Sequence, residues 1–304
     1  MISYSIVIPT HNRREKLFHL IESIYSIDHK PSEIIVVDDA STDGSEEFIT
    51  RNFPEVKYFR MEHERWPGFT ISYGIAKSKE NLVYIIDDDN VVDEKSVSPL
   101  LSIFENDEAG EYGVLGPVTC FFKEKDKIMY AGGSYNKVTS ATKFKFAGES
   151  YSKLISTSRN SNIIDVDGIP NAFIVRRDYA ILCGLIPKYI PAQGEDGYLI
   201  YSIKKNLKKK VGVCLTARIY HDYEMSGRFS DIRLYYTMRT KILFIKDSFS
   251  SVRGVVNLFF MPAVFGYWAM LSLKSSRDYK GIKILLRGYI DGLLGIRDRK
   301  FIDY

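Results

Sequence analysis

The sequence predicts an α/β protein built on a mainly parallel sheet with helices on both faces. Short runs of apolar and β-branched residues at 5–8, 33–37, 56–61 and 82–86 alternate with segments whose apolar residues recur at helical spacing. Two of these runs, at 33–37 and 82–86, are followed directly by acidic residues. Nearly continuous apolar strands that alternate with helices are typical of a parallel sheet covered on both faces.

The individual elements follow in order along the first part of the chain. The first strand, at 5–8, is closed by Pro9, and Asn12 is the capping candidate for the helix behind it. The predicted helices lie at 17–27, 45–52, 68–77 and 92–104. Ligands of open α/β sheets bind at the carboxyl ends of the strands. The acidic residues that follow two of the strands therefore predict a ligand site.

Length and composition exclude several classes of protein. The chain has 304 residues, 45% of them hydrophobic and 26% charged, which predicts one large globular domain or two. A net charge of +4 is too small to indicate a nucleic-acid partner, and we expect none. Three scattered cysteines argue against a disulfide framework, and the N-terminus lacks the features of a signal peptide. We therefore expect a cytoplasmic protein.

The chain changes character along its length, which predicts its domain organisation. The middle carries strand candidates at 171–176 and 211–220 and a helix candidate at 196–207. Beyond it, basic residues interleave with apolar ones at helical spacing. We expect a catalytic domain at 1–227, made of halves at 1–110 and 111–227, and a helical extension at 228–304.

The helical extension contains a stretch without charge at 254–273, bounded by Arg253 and Lys274. Its length is close to the roughly 20 residues that span a bilayer, but Pro262 and Gly266 interrupt it. We therefore expect an interfacial hairpin here. We expect the whole region 228–304 to hold the chain on the inner face of the cell membrane, with its basic residues at the lipid surface; these are Arg228, Arg233, Arg239, Lys241 and Lys246. Packing against the catalytic domain, a homo-oligomer interface and a transmembrane span remain alternatives.

The strongest chemical signal is the run Asp87-Asp88-Asp89 after the strand at 82–86. Adjacent carboxylates repel one another unless cations or hydrogen-bond donors compensate. Mg²⁺ and Mn²⁺ prefer such oxygen ligands, often together with substrate phosphates. The alternative is an acidic turn that caps the helix predicted at 92–104.

A second acidic turn, at 38–45, offers Asp39 for ligand contact, and its later residues suit a turn and a helix cap.

Taken together, three segments resemble the family 2 glycosyltransferases. The segment Pro-Thr-His-Asn-Arg at 9–13 follows the first strand, Val-Val-Asp-Asp-Ala-Ser-Thr-Asp-Gly-Ser occupies 36–45, and an acidic motif of the DxD type ends the strand at 82–86. The resemblance covers about residues 1–222. It implies the GT-A fold, a Rossmann-like, mainly parallel sheet flanked by helices that binds nucleotide sugars, here with the C-terminal helical extension.

The same resemblance implies roles for the residues that would bind the nucleotide. Pro9, Thr10 and Arg13 would line the nucleotide pocket. Asp39 would recognise the base, and Asp88 would approach the ribose. The expected donor is a UDP- or dTDP-linked sugar.

The metal and the chemistry are implied by further matches. Asp89 would bind the Mg²⁺ or Mn²⁺ that bridges the diphosphate, with Asp87 in support and His221 near the metal or the diphosphate. In Gly-Glu-Asp at 194–196, Asp196 would be the catalytic base and Glu195 an orienting partner. A carboxylate that takes the proton of an acceptor hydroxyl suits inverting transfer, although both residues could simply cap the helix that follows.

The expected function is metal-dependent, inverting transfer of a single sugar to a hydroxyl of a glycan or of a lipid-linked acceptor. No Gln-x-x-Arg-Trp segment is present, which disfavours a processive polysaccharide synthase. No Gly-x-Gly-x-x-Gly follows the first strand, which disfavours a dinucleotide-dependent oxidoreductase. A non-catalytic glycan-binding or scaffold protein on the same fold remains an alternative. The family's acceptor-side segment is reduced to Cys-Gly-Leu-Ile-Pro at 183–187, so the acceptor itself is not predicted.

Overall fold

A computed structural model describes residues 2–136, 138–158, 162–222, 230–249, 251–276 and 279–298. The strands are β1 Ser5–Thr10, β2 Glu33–Asp38, β3 Lys57–Arg60, β4 Leu82–Ile86, β5 Asn90–Val92, β6 Tyr112–Phe121, β7 Ile128–Tyr130, β8 Gly133–Tyr135, β9 Thr142–Phe144, β10 Ile163–Asp165, β11 Ala172–Arg176 and β12 Lys210–His221. The helices are α1 Arg14–Ile24, α2 Ser45–Asn52, α3 Pro67–Lys77, α4 Val97–Glu105, α5 Tyr151–Thr157, α6 Arg177–Leu182, α7 Glu195–Asn206, α8 Asp231–Ser248, α9 Ser251–Phe259, α10 Met261–Ser276 and α11 Lys280–Leu294.

One large sheet runs through the protein in the order β10-β12-β6-β11-β4-β1-β2-β3. Strands β4, β1, β2 and β3 pair in parallel, as the alternation of strands and helices predicts. Strand β11 then pairs antiparallel with both β4 and β6, so the second half of the sheet is mixed. The predicted α/β class is therefore confirmed, with the parallel part confined mainly to the first half of the chain.

Helices cover both faces of the sheet, and β1 shows how its sequence specifies them. Ile6 and Ile8 lie in the apolar core on one face, while Val7 lies in the core on the other. Helix α3 crosses Val7 closely enough that a Cβ atom on Gly74 would lie 2.3 Å from its Cγ1 atom. Burial on both faces explains why these strands are apolar at successive positions.

Two local predictions were wrong. Residues 92–104 do not form one helix, because Asn90–Val92 is strand β5, paired antiparallel with β12, and α4 begins at Val97. Asn12 does not cap α1; its side-chain oxygen accepts the backbone N–H of Thr42. The Asp43 carboxylate instead accepts the backbone N–H of Arg14 in the first turn of α1.

The C-terminal helix α8 packs against the rest of the protein rather than standing apart. Its basic residues, which we expected at a lipid surface, mostly bond to backbone carbonyl oxygens. Arg239 is only 1% exposed and donates to the oxygens of Ile296 and Arg297. Lys241 donates to the oxygen of Ser140, and Lys246 donates to that of Gly292. Arg228 and the expected boundary at 227/228 lie outside the described residues.

The uncharged stretch is helical from α9 into α10. The interruption falls at Phe260, not at Pro262, which occupies the first turn of α10 where proline is tolerated, nor at Gly266 inside that helix. Val252–Lys274 is long and apolar enough to cross a membrane, and 17% of its most apolar window is buried. Length and composition alone are weak evidence for a span, because core helices of soluble proteins also satisfy them.

Candidate active site

A cavity of about 330 Å³ opens at the carboxyl ends of β1, β2 and β4. Four parts of the chain form its wall: the strand ends, the loop before α3, the residues at the start of α7, and the first turns of α8. The lining residues are Pro9, Thr10, His11, Arg13, Asp39, Glu64, Trp66, Pro67, Thr70, Asp87, Asp88, Ala192, Gln193, Glu195, Ile232, Arg233 and Tyr236. Seven of the ten predicted site residues are among them. Asp89, Asp196 and His221 adjoin this set without contributing to the wall.

Arg13 links the first strand to the acidic run after β4. Its Nη1 atom lies 2.8 Å from Asp88 Oδ1 and 2.9 Å from Asp89 Oδ2. The hydroxyl of Thr10 donates to the other oxygen of Asp88 over 2.7 Å. Burial opposes the charge on Arg13, but the two carboxylates raise its pKa above the ordinary value. The guanidinium is therefore a built-in counter-charge for two of the three aspartates.

Asp89 also contacts His221, as the sequence led us to expect. The Nε2 atom of the imidazole lies 3.1 Å from Asp89 Oδ1, because β12 brings His221 beside the acidic run. Burial acts to raise the pKa of Asp89, but His221 and then Arg13 outweigh it and lower this pKa below its ordinary value. Asp89 is thus ionised in this environment and available as a cation ligand.

Asp87, Glu195 and Asp196 form a second acidic group, brought together by β4 and α7. Burial raises the pKa of Asp87 well above its ordinary value, and the nearby charge of Asp196 raises it further. Burial, and next the charge of Glu195, raises the pKa of Asp196 to about 8. These carboxyl groups therefore hold protons at neutral pH more readily than ordinary carboxylates, which is typical of acid–base sites.

The two acidic residues at the start of α7 have different surroundings. Asp196 accepts the backbone N–H of Asn171 over 3.3 Å. Glu195 lines the cavity, and within the described residues its Oε2 atom is buried without a hydrogen-bond partner. Burial raises the pKa of Glu195, and hydrogen bonds from the backbone at Glu195 and Gly194, followed by the charge of Arg233, partly offset that effect. Glu195 therefore contributes directly to the cavity wall, whereas Asp196 only adjoins it.

Asp39 shapes the wall at the outer part of the cavity. Its carboxylate accepts the backbone N–H groups of Arg65 over 2.6 Å and of Trp66 over 2.8 Å. Trp66 has a φ of 71°, an unfavourable conformation for a bulky residue, and these bonds help to hold it. Burial raises the pKa of Asp39, and the two N–H groups oppose that shift. Asp39 thus positions the indole that forms part of the wall.

The residues present fit a divalent cation at two places. Asp89 and His221 offer a carboxylate and an imidazole, a donor set that Mn²⁺ accepts. Asp89 Oδ1 is buried without a hydrogen bond among the described residues, although His221 lies near it. His11, Asp39 and Glu64 form the second set, with ligand atoms within 4.8 Å of one another. The first set adjoins the acidic run and is the better match to a diphosphate-bound ion, since Asp39 already accepts two N–H groups.

Sequence reasoning missed much of the cavity wall. It assigned no role to Trp66 or Gln193, and it placed Ile232, Arg233 and Tyr236 in a membrane-binding region. Trp66 and Gln193 have positive φ angles, which cannot be predicted from the type of their side chains. The sequence around the three α8 residues does not show whether they line a cavity or lie on an ordinary helix surface.

Curated relatives match parts of this chain. A β-1,3-glucosyltransferase of Campylobacter jejuni, named for GalNAc(5)-diNAcBac-PP-undecaprenol, is 27% identical over 152 residues, which is 48% of each chain. The poly(ribitol-phosphate) β-N-acetylglucosaminyltransferase TarP of Staphylococcus aureus is 26% identical over 125 residues, or 38% of each chain. The matches thus span less than half the length of these relatives.

Solved structures share the fold over nearly the whole chain. S. aureus TarS 1-349 in complex with UDP-GlcNAc superposes with a TM-score of 0.62 at 16% identity, covering 96% of this chain and 81% of that one. GalNAc-T7 with UDP, GalNAc and Mn²⁺ gives a TM-score of 0.65 at 16% identity, covering 96% and 55%. These similarities confirm the GT-A fold. The model of the family described as "Glycosyl transferase family 2" matches residues 5–181, more than half of the sequence, and the chain belongs to that family.

Proposed function

We propose that this protein transfers a single sugar from a nucleotide diphosphate sugar, UDP- or dTDP-linked, to a hydroxyl of a glycan or lipid-linked acceptor. One observation carries the proposal: the acidic run after β4 and the acidic pair at the start of α7 meet around one cavity. The UDP-GlcNAc bound to TarS supports a UDP-linked donor. The undecaprenol in the name of the Campylobacter relative supports a lipid-linked acceptor.

The proposed reaction is a single displacement with inversion at the anomeric carbon. The acceptor oxygen forms a bond to that carbon from the face opposite the diphosphate, while the bond from the carbon to the diphosphate oxygen breaks. The electron pair leaves with the diphosphate, and the acceptor proton passes to the Asp196 carboxylate, with Glu195 orienting the acceptor. With a pKa of about 8, the Asp196 carboxyl is mostly protonated at neutral pH, so the fraction that can act as the base increases as the pH rises towards 8.

The proposal includes a divalent cation held by Asp89 and His221. Mg²⁺ or Mn²⁺, when bound, would supply positive charge against the negative charge that develops on the diphosphate. Pro9, Thr10 and Arg13 would line the nucleotide site, and Asp88 would approach the ribose. Asp39 would lie near the base, at the part of the wall that it fixes through Trp66.

A ligand screen followed by a turnover assay tests the proposed function. We expect at least one UDP- or dTDP-linked sugar to raise the melting temperature of the full chain, and to do so more strongly with Mn²⁺. The same sugar nucleotide should then be consumed slowly by hydrolysis, with release of the nucleoside diphosphate. A chain that is stabilised by none of these compounds and releases no nucleotide would contradict the proposal and favour the scaffold alternative.

We propose further that the C-terminal helices attach the protein to the cytoplasmic face of a membrane as a peripheral protein. In α9 the apolar side chains at 252, 255, 256 and 259 recur at helical spacing and are exposed, Val252 and Phe259 by 78% each. The polar side chain of Asn257 faces inward instead and donates to the oxygen of Val138. An apolar face turned to the outside suits the head-group boundary of a bilayer.

Vesicle flotation tests the attachment. The full chain should float with vesicles that contain anionic lipid, and the double variant Val255→Asp/Phe259→Asp should stay largely in the soluble fraction. Leu182→Asp is the matched control, because Leu182 is 70% exposed on α6, outside the C-terminal helices. Flotation of the double variant equal to that of the control would show that this face does not bind lipid.

A further inference from the structure

Helix α8 contributes three side chains to the cavity wall, although it lies beyond the segment that matches the family. Ile232, Arg233 and Tyr236 stand on one face of its first two turns. Residues on the other faces, such as Leu234 and Met238, are buried among the C-terminal helices. The cavity is therefore completed by a helix whose remaining surface holds the C-terminal region together.

The charges around the cavity leave it short of positive groups. Five carboxyl groups line it among the described residues, belonging to Asp39, Glu64, Asp87, Asp88 and Glu195. Two guanidinium groups, those of Arg13 and Arg233, line it as well. A nucleoside diphosphate would add further negative charge, which like charges nearby disfavour. The guanidinium groups of the wall would offset part of that charge.

Of the two guanidinium groups that the described residues contribute to the wall, that of Arg233 remains available. Arg13 already lies within 2.9 Å of both Asp88 and Asp89. The structure gives Arg233 no hydrogen bond or ion pair with another described residue. Its charge nevertheless reaches Glu195, whose pKa burial raises and Arg233 lowers in part. The guanidinium therefore faces the cavity with its donors uncommitted.

The anchoring of α8 fixes the position of Arg233. The Tyr235 hydroxyl donates to Asp291 over 2.8 Å, and the Thr240 hydroxyl donates to the oxygen of Ala192, which itself lines the cavity. Buried Arg239 ties the same helix to the end of the C-terminal region. Because the backbone of α8 is anchored in this way, little backbone freedom is lost when Arg233 binds a ligand.

We propose that Arg233 binds the diphosphate of the donor, so that the C-terminal region completes the donor site. This inference rests on the proposed function. A guanidinium donates paired N–H bonds to phosphate oxygens and keeps its charge at all relevant pH values. Arg233 takes up no proton during transfer; it stabilises the negative charge that passes to the leaving diphosphate when the bond to the sugar breaks.

The test compares a ligand that has the diphosphate with one that lacks it. UDP affinity is measured by calorimetry, and uridine affinity by ligand-observed NMR, for the full chain and for Arg233→Gln, Arg233→Lys and Arg51→Gln. Arg51 is the matched control, because it is an exposed arginine on α2 outside the cavity. We expect Arg233→Gln to weaken UDP binding about 10- to 100-fold and to leave uridine binding unchanged. Arg233→Lys should weaken UDP binding less than Arg233→Gln does, and Arg51→Gln should bind UDP with wild-type affinity.

Three results would overturn the inference. UDP affinity within threefold of wild type in Arg233→Gln would show that the guanidinium does not contact the diphosphate. An equal loss for UDP and uridine would assign Arg233 to the packing of the wall. A wild-type chain that binds neither UDP nor dTDP would overturn the proposed function itself, and the inference with it.

Discussion

Replacing Asp196 with asparagine should have two separate effects: a loss of catalytic turnover and a gain in folding stability. The gain is expected because Asp196 lies in a buried acidic cluster with Asp87 and Glu195. The amide keeps the shape of the side chain and can still accept the N–H of Asn171, but it cannot take a proton. Loss of a positioned general base typically lowers turnover by about 10²- to 10⁴-fold. We expect a loss of that size, with UDP affinity little changed, because the residues proposed to hold the nucleotide are Pro9, Thr10 and Arg13 rather than Asp196.

The same substitution should stabilise the protein at alkaline pH. Burial and the charge of Glu195 raise the pKa of Asp196 from its ordinary value of 3.8 to about 8. The folded state therefore binds more protons than the unfolded state between about pH 4 and pH 8, and stability falls as the pH rises through that window. At about 1.4 kcal/mol per pH unit, the full cost of ionising Asp196 in the folded state approaches about 6 kcal/mol.

The Asp196→Asn variant should regain only part of the stability that ionisation of Asp196 costs the wild-type protein. Asp87 and Glu195 repel Asp196 and each other, so they remain costly to ionise after the substitution. We expect Asp196→Asn to raise the free energy of unfolding by about 1–3 kcal/mol at pH 8.5 and by little at pH 5. Wild-type turnover should rise with pH up to about 8, as the base loses its proton.

Urea denaturation at pH 5 and pH 8.5, paired with turnover measurements, checks both expectations. Asp178→Asn is the control, because Asp178 is an exposed aspartate in the first turn of α6. An Asp196→Asn variant that turns over within threefold of wild type, with no gain in stability at pH 8.5, would refute the reasoning. Asp196 would then be an ordinary residue of the first turn of α7.

The remaining predictions concern the metal and the packing of the C-terminal helices. Asp89→Ala should remove the enhancement of UDP binding by Mn²⁺, measured by calorimetry; an enhancement that persists would exclude Asp89 as a ligand. Gly288→Ala should destabilise the chain by about 1–3 kcal/mol, because its Cβ atom would lie 2.2 Å from a backbone oxygen of α8. Gly266→Ala is the control, since nothing lies within 4 Å of a Cβ atom there; equal melting temperatures for the two variants would contradict the packing.

The carboxyl-end site could be predicted because its signal is local. A strand buried on both faces is apolar at every position, so the polar residues that follow it are easily located. Parallel strands then bring the residues after β2 and β4 to one edge of the sheet. The positions of Asp39 and Asp88 in one cavity follow from these two facts alone.

Features that depend on distant partners could not be predicted in the same way. Strand β5 has three residues and exists because β12, more than a hundred residues later, pairs with it. Helical spacing of apolar residues at 92–104 gives no hint of that partner. Likewise, a basic residue within an apolar helix suits a lipid head group and a carbonyl oxygen equally well. Arg239 bonds to carbonyl oxygens because α11 and the residues after it run back along α8.

Helix α8 both lines the cavity and packs against the other C-terminal helices, and this limits which parts of the C-terminal region can be deleted. A common way to obtain a soluble version of a membrane-attached enzyme is to delete the attaching segment. Here a deletion from residue 228 onward would also remove Ile232, Arg233 and Tyr236 from the cavity wall. Polar substitutions on the exposed face of α9 would leave that wall in place. A shortened chain that has lost activity would therefore say nothing about whether the membrane itself is needed for turnover.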